Sequence, residues 1–569
     1  MFIADSPFVS LCLHLSLVIC MVGLIFKGVT WFQHQINTGG ERFPAGIRVL
    51  AAVRGGVGVL FGPKLIDLVK IFFLDVLLNR RVLKEDFWRW LMHMLIYVGF
   101  TLLVLTHALG AVIMPRFFPG YASTVVPYIY LRNLFGVAVL AGLAIALYRR
   151  WTIPGMRVTT GDQDRYVLII LAIIMISGFL MEATKIVSHA RYDEMVAQYG
   201  DTVTSDVDKE SLRAYWANDF GVIFPEPGVT ADAAGMRRGE ELHQMNCAGC
   251  HSKPDWAFVS YGVAKKIRPA ALGLTSAGVA IWLWYVHVLA CLVGLAYLPF
   301  SKFFHMVAGP ISLLVNGIMA RGKTDPANVA TRRIMEFDAC TRCGTCSVRC
   351  SVNVIFWEMH NLTILPSEKL KALKSLAFNR PLTEKELRII QEGSHICTGC
   401  HRCTDVCPVG INLQDLWLSM NDLLELKGFP EPAVSARQFV ADHYTQKDDA
   451  REIIVLPDHG VFQQELSSSI QAPTFWSCYR CQTCTNACPV VANCQDPVAE
   501  LGLLPHQIMH ALALGLKDEA LAAGMTWDCL TCYMCQEYCP QGVHVADVLY
   551  ELRNMAYRDF RAGFALPKT

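Results

Sequence analysis

One cysteine spacing, Cys-x2-Cys-x2-Cys-x3-Cys, occurs four times in the second half of this 569-residue chain. Each run must turn the backbone sharply enough to bring its thiols together, so the repeat fixes four local structures before any other feature is considered. Sixteen of the 22 cysteines belong to these runs: Cys340, Cys343, Cys346 and Cys350; Cys397, Cys400, Cys403 and Cys407; Cys478, Cys481, Cys484 and Cys488; and Cys529, Cys532, Cys535 and Cys539.

The spacing is that of bacterial [4Fe–4S] ferredoxins, in which three thiolates of a run hold one cluster and the fourth serves a neighbouring cluster. Zinc sites and disulfides are the alternatives, but zinc sites usually pair two Cys-x2-Cys units and need no following proline. The first run lacks that proline, because Ser351 follows Cys350. Pairing neighbouring runs predicts four clusters, held by Cys340, Cys343, Cys346 and Cys407; by Cys397, Cys400, Cys403 and Cys350; by Cys478, Cys481, Cys484 and Cys539; and by Cys529, Cys532, Cys535 and Cys488.

A different cysteine motif lies upstream of the four runs. Cys247, Cys250 and His251 form Cys-x-x-Cys-His, which predicts a covalently attached c-type haem with the histidine as iron ligand. A zinc site is poorly supported, because no second cysteine pair lies nearby, and the preceding helix resembles the first helix of a cytochrome c. The distal ligand stays open among Met195, Met236, His189 and His243. The remaining cysteines are interpreted as structural: Cys12, Cys20, Cys291 and Cys494.

The apolar content of the chain favours membrane spans, since 53% of the residues are hydrophobic and the mean hydropathy is +0.34. The net charge of +1 argues against a nucleic-acid binder. The segment 45–78 is interrupted by basic residues and is predicted to lie along the membrane surface, with a sixth span as the alternative. The first span is expected to be retained, because no small-residue cleavage site follows it. Five stretches approach the roughly 20 apolar residues of a membrane span: 8–27, 88–114, 126–148, 165–186 and 273–306.

Basic residues orient these spans by the positive-inside rule. Only Arg116 and Arg132 lie near the connection between spans two and three. The N-terminus and the segment 187–272 are therefore predicted outside a bacterial cytoplasmic membrane, and everything after span five inside it. That topology allows one chain to carry a c-type haem outside and iron–sulfur clusters in the reducing interior. The inner basic residues are Lys27, Arg42, Arg48, Arg54, Lys64, Lys70, Arg80, Arg81, Lys84, Arg149, Arg150 and Arg157.

Four histidines lie in the predicted spans, where ionisable residues are functional candidates by default. His93 and His107 are 14 residues apart in span two, and His287 and His305 are 18 apart in span five. At 1.5 Å per residue these separations are about 21 and 27 Å, and each pair falls on nearly one helix face. Because the two spans run in opposite directions, His93 should meet His305 near the inner surface, and His107 should meet His287 near the outer one. Two bis-histidine haems b are predicted, with ordinary core histidines as the alternative; His14 has no such partner.

Five spans with paired histidines on spans two and five resemble the gamma subunit of respiratory nitrate reductase. They resemble equally the cytochrome b subunits of membrane heterodisulfide reductases and sulfite-reduction complexes. The resemblance covers 1–186 and 270–308, and it implies two haems b and a quinol site near one of them. The segment with the c-type haem motif departs from this pattern as an insertion.

The cysteine runs carry a second resemblance. Region 470–569 is similar to the C-type iron–sulfur subunit of heterodisulfide reductase, chiefly through FWSCYRCQTCTNACP and WDCLTCYMCQEYCP, and region 330–420 looks like the front part of the D-type catalytic subunit. That family's active site uses adjacent cysteines. No Cys-Cys pair occurs in this sequence, so the disulfide-reducing site is not expected in it.

The expected fold is mainly α, with a five-helix transmembrane cytochrome b bundle, a periplasmic haem c loop domain and two cytoplasmic α-helical 2×[4Fe–4S] ferredoxin-like domains. The bundle is predicted to use 1–186 for its first four helices and 273–308 for the fifth, on either side of the haem c insertion at 187–272. The two ferredoxin-like domains are placed at 309–425 and 426–569.

The predicted function is electron transfer within a quinone-linked oxidoreductase of anaerobic respiration. Expected partners are membrane lipid, menaquinol or another quinone, a periplasmic cytochrome c, and a cytoplasmic heterodisulfide-reductase-like or flavin subunit. No catalytic residue and no nucleic-acid partner is expected. The rival interpretations are a self-sufficient quinone reductase fed by soluble ferredoxin, and a redox sensor, for which the 30 residues after Cys539 leave little room for an output domain.

Overall fold

The computed structural model describes residues 7–36, 42–118, 120–152, 161–226, 229–319, 324–444 and 460–563. The described residues are mainly helical, as predicted, and form no β-strand beyond an isolated bridge between Ser188 and Ile223. Arg157 of the predicted inner basic set lies outside them. Two compact units divide the chain, and each is considered by itself: Met1–Arg380 with Thr398–Trp417, and Pro381–Cys397 with Leu418–Thr569.

Several described helices are long and apolar enough to cross a membrane, which confirms the coarse prediction. Their apolar side chains lie exposed along the helices, as with Leu11 and Ile25 of the first helix, which are 66% and 61% exposed. A continuous exposed apolar surface of this kind favours lipid over water. These helices are called spans one to five in chain order: Pro7–Gln33, Phe87–Ala108, Tyr128–Thr152, Asp162–Val187 and Val279–Ala296.

Span five is shorter than the predicted 273–306. It ends at Ala296, and two 3₁₀ turns follow before a new helix, His305–Ile318, begins. Pro299 in the first of these turns has no amide hydrogen to donate, and Ser301 is extended, so an α-helix cannot continue there. His287 and His305 therefore belong to two helices, and the separation of about 27 Å expected along a single helix does not apply.

Span two also departs from a regular helix. Its α-helical part, Phe87–Leu103, passes into a π-helical turn, Val104–Ala108, that carries His107. Turns of this type inside helices are frequent at functional sites. The helix begins at Asp86, whose carboxylate accepts a hydrogen bond from the N–H of Arg89 at 3.0 Å and pairs with Arg149 of span three at 2.5 Å.

Glycines allow spans two and three to approach closely. A Cβ on Gly99 would lie 3.0 Å from the carbonyl oxygen of Phe135, and a Cβ on Gly142 would lie 2.6 Å from Ile96 Cγ1. Small residues at helix contacts are typical of membrane bundles, where van der Waals packing drives association. Span four packs in the same region against spans three and five.

The segment between spans four and five forms a helical layer of its own. Helices Asp206–Tyr215 and Ala233–Asn246 pack on an aromatic core that includes Trp216 and Phe220. The layer is tied to the bundle through Glu182 of span four, which accepts hydrogen bonds from Ser260 Oγ at 2.6 Å and from Asn133 Nδ2 at 3.1 Å. The other helices of this layer are His189–Tyr199, Phe258–Ile267 and Ala271–Ser276.

The first cysteine region packs against the ends of membrane helices. Asp338, in helix Pro326–Ala339, accepts hydrogen bonds from Lys27 Nζ at 3.0 Å and from Trp31 Nε1 at 2.9 Å, both at the end of span one. The helix that leads to the first run is therefore anchored on the membrane part. The first unit also contains the helices Ala45–Leu60, Lys64–Ile71, Arg80–Glu85, Gly110–Ile113, Thr345–Val348, Asn353–Met359, Pro366–Ala377 and Arg402–Asp405.

The second unit holds the third and fourth runs around one apolar core, with Phe475, Met509 and Leu549 buried in it. Arg553 of the last helix, Val545–Gly563, donates hydrogen bonds to the carbonyl oxygens of Thr526, Trp527 and Cys529 at 2.6 to 2.8 Å, which fixes the backbone entering the fourth run. Its other helices are Glu384–His395, Pro432–Tyr444, Gly460–Ser468, Thr483–Asn486, Pro489–Asn493, Pro497–Leu501, Pro505–Ala513, Lys517–Ala522, Gly524–Asp528 and Met534–Glu537; Leu413–Leu426 crosses the boundary between the units.

Candidate functional site

The four membrane histidines face each other in two pairs. The ring centres of His93 and His305 are 6.5 Å apart, and those of His107 and His287 are also 6.5 Å apart. Span two supplies one histidine of each pair, while span five and the helix that follows it supply the others. These are the pairs expected from the sequence, although His305 reaches its position from a separate helix.

Hydrogen bonds orient two of these rings. Nδ1–H of His287 donates to the carbonyl oxygen of Ile174 at 2.9 Å, and Nδ1–H of His305 donates to the carbonyl oxygen of Lys302. A histidine held at Nδ1 by a backbone carbonyl presents Nε2 as the free ligand nitrogen. Gly178 of span four leaves room for the His287 ring, because a Cβ there would lie 3.3 Å from His287 Cε1.

The spacing of the pairs fits a metal held between two imidazoles. A metal–imidazole nitrogen bond is about 2 Å long, so two rings that ligate one iron from opposite sides have centres about 6 Å apart. His93 Nδ1 is buried and has no hydrogen-bond partner among the described residues. His14 also donates to a backbone carbonyl oxygen, that of Ser10 at 2.7 Å, but among the described residues no second histidine ring faces it. The residues present therefore fit two bis-histidine haems.

All four cysteine runs fold into the same loop. In every run the second and fourth residues after the first cysteine have positive φ, between 49° and 76°. Six of these eight residues are not glycine, although left-handed backbone costs a non-glycine residue roughly 1–2 kcal/mol. Strain of this kind is concentrated at functional sites. The residue pairs are Arg342 and Gly344, Gly399 and His401, Arg480 and Gln482, and Thr531 and Tyr533.

Each loop runs into a four-residue helix that carries the third cysteine. In three of the runs, the first left-handed residue donates its N–H to the sulfur of the first cysteine at 3.4 Å: Arg342 to Cys340, Arg480 to Cys478 and Thr531 to Cys529. Hydrogen bonds to sulfur are one of the means by which proteins set the potential of an iron–sulfur cluster. The repeated loop and its thiol-only donor set fit such clusters.

The fourth cysteine of the second run lies with the first run. Burial, reinforced by the neighbouring thiols of Cys343 and Cys340, raises the pKa of Cys407 to about 12. Burial and the same neighbours, together with Cys407, also raise the pKa of Cys346. Thiols perturb each other in this way only at short range, so Cys407 approaches the three thiols to which the sequence assigns it.

In the second unit, too, the fourth cysteine of one run lies beside thiols of the neighbouring run. Burial raises the pKa of Cys535 to about 12, and its neighbours Cys529, Cys484 and Cys488 add to the effect. Cys488, the last cysteine of the third run, also raises the pKa of Cys529, after burial. The fourth cysteine of one run thus stands beside the thiols of the other.

These thiols do not form a binding site for a single metal ion. In the described ranges, no group of three or more His, Cys, Asp or Glu side chains converges enough to hold one metal ion. The four thiolates of a cubane bind four different irons, so they need not converge on one point. The fit of the runs to clusters therefore depends on the shared loop and on the crossing cysteines.

The Cys-x-x-Cys-His segment forms one turn after helix Ala233–Asn246. The N–H groups of Cys250 and His251 both donate to the carbonyl oxygen of Cys247, at 3.0 and 2.9 Å. Cys247 is buried against the aromatic core, Cys250 is exposed, and burial lowers the pKa of His251. Next to the turn, Ser252 Oγ accepts from the N–H of Val126 at 3.0 Å, so the segment is attached to the connection between spans two and three.

The four candidate distal ligands fall into two groups. His243 lies among aromatic rings, and its ring centre is 5.7 Å from that of Trp216 and 4.9 Å from that of Phe220. Burial lowers the pKa of His243 to about 4. In the part of the chain that is described, Nδ1 of His243 and Nδ1 of His189 are buried without a hydrogen-bond partner. Met195 and Met236 pack against the apolar core. The two histidines therefore keep an unused ring nitrogen.

Three residues in contact with the cysteine runs, two of them within the runs, were missed in the sequence. Arg89 of span two donates to Thr345 Oγ1, which lies 3.5 Å from Cys343 Sγ. Thr483 stands in the same place in the third run, 3.3 Å from Cys481 Sγ. The repeated Cys-x-Thr in the first and third runs was a visible signal for the threonines, but nothing local in the sequence connects Arg89 with residue 345.

Comparisons with known proteins find family matches in three parts of the chain. Residues 82–211 match the nitrate reductase gamma subunit family, and residues 336–411 and 471–543 both match the 4Fe-4S dicluster domain family. The first match covers spans two to four and part of the helical layer between spans four and five, while each of the others covers a pair of cysteine runs. No solved structure matches the chain.

Curated relatives each match less than a fifth of the chain. The C-type iron-sulfur subunit of the CoB–CoM heterodisulfide reductase of Methanopyrus kandleri is 38% identical over 96 residues, which is 17% of this chain and 44% of the relative. The C-type subunit of the H(2):CoB-CoM heterodisulfide,ferredoxin reductase of Methanothermobacter marburgensis is 36% identical over 111 residues, 19% of this chain and 55% of the relative. The chain therefore spans about half the length of these relatives.

A relative of the D type is matched over a smaller part of its length. The D-type subunit of the dihydromethanophenazine:CoB–CoM heterodisulfide reductase of Methanosarcina acetivorans is 31% identical over 115 residues, 18% of this chain and 28% of the relative. The predicted resemblance is confirmed: a membrane part like the nitrate reductase gamma subunit is joined in one chain to 4Fe-4S dicluster domains like those of the C-type and D-type subunits of heterodisulfide reductase.

Proposed function

We propose that this chain conducts electrons across a bacterial cytoplasmic membrane as one subunit of a larger oxidoreductase. A haem c attached to Cys247 and Cys250 with His251 as ligand, two haems b in the bilayer, and four [4Fe–4S] clusters on the cytoplasmic side would form the path. Menaquinol or a periplasmic cytochrome c exchanges electrons on one side, and a heterodisulfide-reductase-like or flavin subunit on the other.

The two facing histidine pairs carry this proposal. Each pair has ring centres 6.5 Å apart, and the pairs lie at the two ends of span two. Two haems at these positions divide the membrane into short electron-transfer steps. His287 and His305 are each held at Nδ1 by a backbone carbonyl oxygen, which leaves Nε2 free to bind iron.

Contacts at the two ends of the spans support the proposed sidedness. The c-type haem motif is hydrogen-bonded to the connection between spans two and three, through Ser252 and Val126. The first cysteine region is bonded to the opposite end of the bundle, through Asp338 and Lys27 at the end of span one. The haem c segment and the first clusters would thus lie on different sides of the membrane, as the basic residues require.

Haem counting tests the proposal. We expect the purified complex to contain one covalent haem and two haems b per chain. His93→Ala or His305→Ala should each remove the inner haem b, while His107→Ala or His287→Ala should each remove the outer one, because one ring of each bis-histidine pair is lost. Pyridine haemochrome spectra give the ratio of haem types, and redox-difference spectra distinguish the two haems b.

Matched variants make the result specific. Cys247→Ala should abolish the haem stain of the denatured protein and leave both haems b in place, whereas His14→Ala should change no haem. A complex without haem b would refute the membrane assignment. Equal spectra for His93→Ala and His287→Ala, both different from His305→Ala, would refute the pairing.

A further inference from the structure

Arg89 connects span two with the first cysteine run. It lies one helical turn before His93, and its guanidinium donates to Thr345 Oγ1. The nearby carboxylate of Asp86 is occupied by Arg149 at 2.5 Å. Within the described ranges no Asp or Glu forms an ion pair with Arg89, although the charge of Asp86 acts on it as well as on Arg149.

The charge of Arg89 reaches a cluster ligand through Thr345. The threonine hydroxyl lies 3.5 Å from Cys343 Sγ. A guanidinium charge relayed by a hydroxyl at this distance stabilises negative charge on the sulfur. Whatever stabilises negative charge on this sulfur also stabilises the more negative, reduced state of a cluster bound to it.

The second histidine of the inner pair leads to the same run. In the helix that begins at His305, Gly309 faces Val409, where a Cβ would lie 3.3 Å from Val409 Cγ1. One turn later Leu313 faces Gly410, where a Cβ would lie 3.1 Å from Leu313 Cδ2. Val409 and Gly410 lie two and three residues after Cys407, which the sequence assigns to the first cluster. Both helices of the inner pair therefore contact that cluster's loops.

We propose that Arg89 is a positioning residue that raises the reduction potential of the first cluster through Thr345 and makes that cluster the direct electron partner of the inner haem b. This inference rests on the proposed function. In the transfer one electron leaves a ferrous haem iron, which becomes ferric, and one [4Fe–4S] cluster passes from its 2+ to its 1+ state. The extra negative charge on the reduced cluster is stabilised by the guanidinium.

A redox titration of the purified complex tests this role, with the first cluster identified as the EPR signal lost in Cys346→Ser. At a fixed potential, Arg89→Gln should lower the ratio of reduced to oxidised first cluster about tenfold, which corresponds to about 59 mV for one electron. Arg89→Lys keeps the charge, so the ratio of reduced to oxidised first cluster should stay close to that of the unaltered complex. Thr345→Val breaks the link without touching span two and should shift the cluster in the same direction.

Arg342→Gln is the matched control. Arg342 lies in the first run, its side chain is 47% exposed, and it pairs with Glu368 at 3.1 Å, so water screens its charge and its loss should change the ratio less than twofold. An unchanged first-cluster potential in both Arg89→Gln and Thr345→Val would overturn the inference. So would an unchanged cluster potential together with loss of the inner haem b, which would make Arg89 a haem-binding residue. Absence of any [4Fe–4S] signal from the unaltered complex would refute the proposed function itself.

Discussion

The first and third cysteine runs have the same local structure and different surroundings. Cys343 and Cys481 are each followed two residues later by a threonine whose hydroxyl lies 3.5 Å and 3.3 Å, respectively, from the sulfur. Between cysteine and threonine stands a residue with positive φ, 76° at Gly344 and 65° at Gln482. The same short sequence pattern therefore folds in the same way in both loops.

The two runs differ in the side chain that donates a hydrogen bond to the threonine. Thr345 receives the guanidinium of Arg89 from span two, and Cys343 is half-buried. Cys481 is exposed, its pKa is lowered by the hydrogen bond from Thr483, and no described arginine or lysine donates to that threonine. Two copies of one loop can thus hold clusters of different potential, which a conduit needs if electrons are to move from one cluster to the next.

Removal of one cysteine ligand of a cluster should have the largest effect, and the effect should differ between the two runs. Cys407→Ser should remove the first cluster and leave the inner haem b without its acceptor, so that quinol reduces the haem but no cluster. Cys539→Ser should remove the third cluster, because its fourth ligand is expected to come from the other run, and should leave the first pair reducible. EPR of the quinol-reduced complex, with dithionite reduction as the reference, measures both effects.

The iron content gives an independent check of these two variants. Each should lose about four of about sixteen cluster irons per chain. If Cys539→Ser removed signals of the first pair, or if Cys407→Ser left the clusters fully reducible by quinol, a path from the inner haem through the first cluster would be wrong.

The two threonines should give a graded effect. A hydrogen bond to a charged partner contributes about 1.5–3 kcal/mol, and a neutral one about 0.5–1.5 kcal/mol. Thr345→Val removes a bond reinforced by Arg89 and should lower the first cluster's potential by the equivalent of about 1.5 kcal/mol. Thr483→Val should lower that of the third by less, because Cys481 is exposed and water competes for its hydrogen bond. Equal shifts in parallel redox titrations would show that Arg89 adds nothing.

The smallest effect concerns the backbone. Gly344→Ala places a Cβ on a left-handed residue and should destabilise the first loop by about 1 kcal/mol. Gln482→Gly relieves the same strain in the third loop, but the flexible glycine offsets part of the gain, so its effect should stay under about 1 kcal/mol. The temperature at which cluster absorbance is lost should fall in the first variant and stay level or rise in the second. A fall in both would mean that φ does not govern either loop.

Prediction from the sequence succeeded where a pattern is local or repeats. Apolar length predicted membrane-capable helices, and residue spacing predicted thiol runs that share one loop. The histidines meet in the expected pairs, because helix direction and depth follow from the order of the spans. The expected single helix through 273–306 was wrong, since Pro299 ends it, and the pairing survived because the chain returns to helix at His305.

The sequence by itself determined which ligand sets are expected in this chain, because ligand type and spacing depend on residues only a few positions apart. It could not show that Arg89 meets Thr345, 256 positions away, or that Cys407 lies beside Cys343 and Cys340. Such contacts depend on how helices pack, and packing is decided by the shape of whole surfaces and not by any short segment. The tertiary structure alone therefore decided that the loop of the first run lies against the helix that carries His93.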